Sequence, residues 1–283
     1  MNAVLRHFFL SGIRFAAASI VYVFQNPRLL ATLGLVWSIF VAIAVALMCA
    51  FVALSAHQDL ATVMERMQDG DLQRQYFALG SFAAIFGQLA VAIGWSRLVL
   101  LGEVPRLTLR LPNGSARYFS RFLILLLALL PLALPGLIVG AIAGSFIPGD
   151  TGKIIAGTIM ILGGLAAAYL CLRTWLIFPA VAIGDDTMSF RRSFALTKGV
   201  VPTIIIGTLV AYIPFLLIAM ASELAAELFE EGAPYVSAMI VAEFLETLVL
   251  LGAVAAAAGV MAQIYRLVVP NAVPNPEQAA VFE

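Results

Sequence analysis

The chain has 283 residues, of which 63% are hydrophobic and only 11% charged, with 16 basic and 16 acidic side chains and a mean hydropathy of +1.03. A soluble domain of this composition would lack a polar skin, so lipid is the expected solvent for most of its surface. Hydrocarbon demands that backbone polar groups be satisfied internally, and the apolar runs lack the alternation of lipid-facing strands. The fold class expected is therefore all-α, a polytopic membrane protein with six transmembrane helices.

Residues 1–26 open the chain with Arg6, His7, Ser11 and Arg14 on one side of a helical wheel, opposite Phe9, Ile13, Ile20 and Phe24. This pattern predicts an amphipathic N-terminal helix lying in the cytoplasmic interface. Its apolar stretch, 15–24, is short and runs into Gln25-Asn26-Pro27, so a cleaved signal peptide is not expected. A single integral domain then covers 29–268, with crossings near 29–54, 76–101, 121–147, 154–177, 200–220 and 237–268, and a cytoplasmic tail at 269–283. Each crossing meets the requirement of about 20 apolar residues.

Charge orients these crossings. All of the 16 Lys and Arg residues except Arg66, Arg74 and Lys153 fall on one side, which the positive-inside bias makes cytoplasmic, together with both termini. Arg97, Arg173, Arg191, Arg192, Lys198 and Arg266 are the lipid or interface candidates, since a basic face favours anionic headgroups. The same cations serve equally well as topology determinants alone, and both readings stand at this point.

A repeated pattern runs through the basic side. Amphipathic connections resembling interfacial helices precede the outward crossings, most clearly at 187–199, where Met188, Phe190 and Phe194 mix with Arg191, Arg192 and Lys198. The returning crossings close on Arg97, Arg173 and Arg266, each followed within a few residues by proline. Three repeated helical hairpins are one reading; snorkelling of boundary arginines is the other.

Inside the crossings, Gly136, Gly140 and Gly144 share a face of the third, and Gly252 and Gly259 lie in the sixth, where small residues let helices approach closely. Partners within the chain or in a second copy both fit this spacing. Glu243 and Glu246 stand three apart on one face of an apolar run, with Gln88 a further intramembrane polar candidate. A coupled proton or cation site would want such carboxylates, whereas an outer-boundary position would leave them simply wet.

The segment Phe178-Pro-Ala-Val-Ala-Ile-Gly-Asp-Asp-Thr-Met-Ser-Phe-Arg-Arg-Ser-Phe-Ala-Leu-Thr-Lys-Gly199 resembles one in YciC-type bacterial inner-membrane proteins and in the membrane domain attached to some glycerophosphodiester phosphodiesterases. Pro135 to Ile138 and Tyr265-Arg266 also resemble their counterparts. The resemblance implies a six-helix fold in the bacterial inner membrane and little about activity. The catalytic barrel of the phosphodiesterases has no room here, so that activity is not implied.

Chemistry finds no further foothold. His7 and His57 are expected on opposite faces, Cys49 and Cys171 near opposite ends of their crossings, and neither a Walker loop nor a dinucleotide fingerprint occurs. The expectation is a protein with no enzymatic activity, cofactor, metal or nucleic-acid partner. Two functions remain: a lipid-interacting scaffold or accessory component, with a protein partner or homo-oligomer, and a small-solute or ion-coupled permease with its path near Gln88, Tyr212, Glu243 and Glu246.

Overall fold

The computed structural model describes residues 3–34, 37, 39, 43, 47, 73–104, 115–146, 150–229 and 235–269. Among the described residues the chain is mostly helical and contains no strand. In chain order the elements are α1 (Ala3–Gln25), α2 (27–34), α3 (Gln73–Leu101), α4 (Ser115–Phe146), α5 (Asp150–Thr174), α6 (Ile177–Ile183), α7 (Phe190–Leu196), a 3₁₀ turn (Thr197–Gly199), α8 (Val201–Phe229) and α9 (Tyr235–Val268).

Hydropathy and backbone punctuation account for most boundaries. Pro27 stands at the first position of α2, where its missing N–H costs nothing. Gly102, at φ 68°, follows the last residue of α3 in the left-handed conformation that favours glycine. Pro214 lies inside α8 without ending it.

Three stretches are long and apolar enough to cross a membrane: Gly157–Ile183, Val201–Ser222 and Phe244–Val268. Phe9–Gln25 and Ile85–Leu101 are shorter apolar helices. Most of the stretch 29–54 and all of the tail after 269 lie outside the described residues, as do Cys49 and His57.

α9 is the centre of the bundle. Of its apolar stretch 56% is buried, against 22% for each of the other two, and it packs on α1, α3 and α8. Its interior face alternates small with large, from Leu251 through Ala255, Ala256 and Val260 to Ile264 and Tyr265. α4 and α5 pack along each other and expose Leu123, Leu127, Ile161, Leu162 and Leu165, the composition expected of a surface solvated by acyl chains.

The helix α1 packs in a different way from an element lying across the end of the bundle. It runs lengthwise against α8 and α9, parallel to α8: Gly12 faces Thr203 and Gly207, and Phe24 stacks on Phe215 with ring centroids 5.6 Å apart. α1 thus packs along its neighbours over most of its length. The cause is a row of small residues, Gly12, Ala16 and Ser19, that is buried while Phe9, Val21 and Phe24 stay exposed. A Cβ on Gly12 would stand 3.0 Å from Thr203 O and 3.1 Å from Gly207 N, so the two backbones are in direct contact.

Candidate functional site

The polar side chains of the bundle collect around 175–199, where the chain leaves α5, forms α6, turns and forms α7. α6 has seven residues, of which Ile177, Phe178, Pro179, Ala180 and Ala182 are buried. Phe178 packs on Tyr118 and Phe122 of α4, with ring centroids 5.0 and 6.5 Å apart. A buried helix end needs partners for its last carbonyls. Gly184, at φ 82°, turns the chain so that its own N–H and that of Asp185 donate to Val181 O and Ala180 O. Arg97 of α3 supplies the next partner, donating from Nη1 to Ala182 O at 2.7 Å while Nε and Nη2 hold the Glu103 carboxylate at 2.7 and 2.8 Å.

Arg173, in the last turn of α5, serves α7 in the same manner. It is 6% exposed, donates to Tyr169 Oη at 2.7 Å, to Thr197 Oγ1 at 3.0 Å and to Phe194 O, and lies over the Phe194 ring at 3.9 Å. No carboxylate among the described residues pairs with it. Burying such a cation costs several kcal/mol, and each hydrogen bond to a charged group contributes about 1.5–3 kcal/mol. Three acceptors and an aromatic face are therefore sufficient to hold it without an anion. Ser193 Oγ and Thr197 Oγ1, four residues apart and fully buried, both reach Arg173 O at 3.2 and 2.8 Å.

The connecting loop is closed by a relay. Arg192 donates to Thr187 Oγ1, which donates to Asp185 Oδ1 at 2.6 Å; Asp185 also accepts from the Thr187 N–H at 2.9 Å and from the hydroxyl of Tyr265 on α9. Ser189 caps α7 by accepting from the Arg192 N–H at 3.2 Å. Burial pushes the Asp185 carboxyl up, but hydrogen bonds from Thr187 and Tyr265 and the Arg192 charge outweigh it and hold the group below its ordinary value. On the rim, Arg121 lies 5.8 Å from the Phe190 ring centroid, and Arg117 pairs with Asp186 at 2.7 Å in an exposed contact worth little. Arg191 and Lys198 are exposed beside Phe194, which is 37% exposed.

Arg266 occupies a separate place. It lines a cleft of about 580 Å³ between α1, α3 and α9, together with Ser19, Tyr22, Gln25, Asn26, Trp95 and Gln263. Arg97 and Arg173 thus both stand beside the C-terminal ends of short helices, α6 and α7, whereas no such contact is shown for Arg266.

The remaining sequence candidates are dispersed. A Cβ on Gly252 would stand 2.5 Å from Phe215 Cε1, and one on Gly259 2.8 Å from Ser19 Oγ, so both glycines sit at close helix contacts. Gly136, Gly140 and Gly144 belong to α4, but their surroundings and the Glu243 side chain lie outside the described residues. Glu246 is exposed and Gln88 half-buried, and among the described residues no hydrogen bond or ion pair joins them to each other or to Tyr212. Among the described residues no group of three or more His, Cys, Asp and Glu is placed to hold a metal. Sequence reasoning missed Gly12 with Gly207, the Asp185–Tyr265 bond and Trp95. For the glycines a signal existed, since Gly12 and Ala16, like Gly207 and Ala211, repeat the small-residue spacing of four. No protein-family model, curated protein or solved structure matches this chain, so the chemistry of the site rests on its own residues.

Proposed function

We propose that this chain is a non-enzymatic protein of the bacterial inner membrane, crossing it six times with both termini in the cytoplasm, and that it acts as a lipid-interacting scaffold or accessory component. The observation that carries this reading is the division of labour among the cations. Arg97, Arg173 and Arg192 are consumed in fixing α6, α7 and their loop, while Arg191 and Lys198 are left exposed beside the exposed ring of Phe194. A rigid mount that presents cations next to an apolar ring suits an anionic membrane boundary. Six crossings are supported by the helical lengths of α3, α4, α5, α8 and α9, which run from 25 to 34 residues. The matching bonds of Arg97 and Arg173 to main-chain carbonyls of α6 and α7 support the reading of related units, and the resemblance to YciC-type proteins agrees with it.

The permease reading is not adopted, because Glu246 is exposed and unconnected to the other intramembrane polar candidates among the described residues. Two measurements test the proposal. Reporter fusions after Glu283 and within 55–70 should read as cytoplasmic and exported respectively; an exported C-terminus overturns the topology. In nanodiscs, phosphatidylglycerol should raise the thermal midpoint above that in phosphatidylcholine, and the Arg191→Gln, Lys198→Gln double variant should lose the increment. Equal midpoints in the two lipids overturn the lipid reading.

A further inference from the structure

We propose that the exposed face running along α1 into the start of α2 docks a membrane-spanning helix of another protein, and that Arg28 pairs there with an aspartate or glutamate of that helix. The inference rests on the six-crossing reading above and gives the accessory role a partner of defined chemistry.

Two contacts bracket Arg28. Four residues before it, Phe24 stacks on Phe215, within the apolar stretch Val201–Ser222. Six residues after it, Gly34 meets Leu251, within Phe244–Val268; a Cβ there would stand 3.2 Å from Leu251 Cδ1. Phe215 lies in turn against Gly252, so both contacts belong to one layer of the bundle. That layer is about 21 Å along α8 from Val201. With these stretches crossing a core roughly 30 Å thick, the layer lies within hydrocarbon. Sequence counts Arg28 among the cytoplasmic cations; its neighbours draw it deeper, beyond the reach of one side chain to the inner boundary.

Nothing in the described chain neutralises it. Arg28 and Gln25 are both exposed, and among the described residues neither side chain makes a hydrogen bond or ion pair. Ala17, Ala18 and Val21 precede them at the spacing of one helix face and are exposed as well. This face differs from the other exposed ones, which present residues such as Leu127, Ile161, Leu165 and Leu216 and suit acyl chains. An ionised side chain at membrane depth is costly unless it is paired, whereas small residues and an amide favour the approach of another helix.

Sign and depth together select the occupant. A lipid phosphate remains at the headgroup level, far from this layer. A second copy of the chain offers no suitable anion: among the described residues the three long apolar stretches contain one acidic side chain, Glu246, the third residue of Phe244–Val268. A carboxylate within a helix of a different protein meets both demands. The planar guanidinium can hold it through two parallel bonds, and the low dielectric strengthens their attraction. Gln25, one turn earlier, adds a hydrogen bond between the helices.

Photocrosslinking in the native membrane, with p-benzoylphenylalanine replacing Val21 in the full chain, tests the pairing. A protein adduct should form, and mass spectrometry should place its partner end in a membrane-spanning helix that carries an acidic residue. Arg28→Gln should lower the yield about tenfold, the loss of one charge-assisted pair, and so should neutralising that acidic residue. Arg28→Glu combined with the partner's acidic residue changed to arginine should restore it. The same probe at Leu216 on α8 should capture lipid only. Yields are compared at equal amounts of membrane-inserted chain, so that misfolding is not read as lost docking. A protein adduct indifferent to Arg28, or an adduct between two differently tagged copies of the chain, overturns the proposal. Lipid adducts alone at both positions overturn it while sparing the six crossings. Lipid at Leu216 with no adduct of any kind at Val21 overturns it together with the depth assigned to α1.

Discussion

Tyr265 donates its hydroxyl hydrogen to Asp185, fastening the last turns of α9 to the loop between α6 and α7 across 80 residues of chain. The loop at 184–189 and the end of α9 therefore touch. Asp185 is also the acceptor for Thr187 and, through it, the end point of Arg192. One carboxylate thus closes the loop and moors it to the central helix.

Removing that mooring is the first expectation. Tyr265→Phe keeps the buried ring but deletes the hydroxyl, leaving Asp185 one donor short, a loss of about 1–3 kcal/mol. The thermal midpoint of the detergent-purified chain should fall by several degrees. An unchanged midpoint would show that the bond contributes nothing to stability.

Acid should act on the same group with a defined sign. The Asp185 carboxyl titrates below its ordinary 3.8 in the folded chain. A depressed folded value means that its contribution is fully present above the unfolded value and disappears as pH falls through the folded one. The midpoint should therefore be insensitive to this group between neutrality and about pH 4 and decline below it. Asp185→Asn should be less stable at neutral pH and show a shallower acid decline; a parallel decline in both proteins would assign acid sensitivity elsewhere.

Arg173 separates charge from geometry. Arg173→Lys keeps the cation but cannot serve Tyr169, Thr197 and Phe194 O together, so the planar fork is lost. A destabilisation of about 2–4 kcal/mol is expected, against about 1–2 kcal/mol for Thr197→Val, which deletes one acceptor and leaves the rest. The measurement is the fraction of monodisperse protein surviving a heat step. Equal survival of Arg173→Lys and wild type would mean that charge alone suffices.

Two glycines should respond with opposite signs to the same substitution. A Cβ on Gly207 would stand 2.8 Å from Val260 Cγ1 and 3.3 Å from Gly12 O, so Gly207→Ala must push α1 and α9 away from α8 and lower the midpoint. A Cβ on Gly164 meets nothing within 4 Å, so Gly164→Ala gains helix propensity of up to about 1 kcal/mol and should not lower it. A loss in both would indicate that the exposed face of α5 is covered by a partner.

How far the residues alone reveal this arrangement depends on the force involved. Long helices were legible because hydropathy marks them: expected crossings at 76–101 and 237–268 compare with Gln73–Leu101 and Tyr235–Val268. The basic clusters were legible for the same reason. α6 was not, because its residues Ile177–Ile183 continue the apolar run of α5 and only the fold shows the turn at 175–176. The roles of Arg97 and Arg173 were hidden because their partners are main-chain carbonyls, which every residue carries. The packing of α1 on α8 and α9 was not legible because a wheel weighs large apolar side chains, whereas Gly12, Ala16 and Ser19 make the contact by being small.

The bond between Ser19 and Gln263 spans 244 residues. At the usual pace of synthesis, on the order of 5–20 residues per second, α1 waits tens of seconds for the helices that cover it. Throughout that interval its small-residue face is bare, and another nascent helix or an insertion factor can occupy it. α1 is thus made well before it is seated, and the bundle acquires its final order only after α9 has followed.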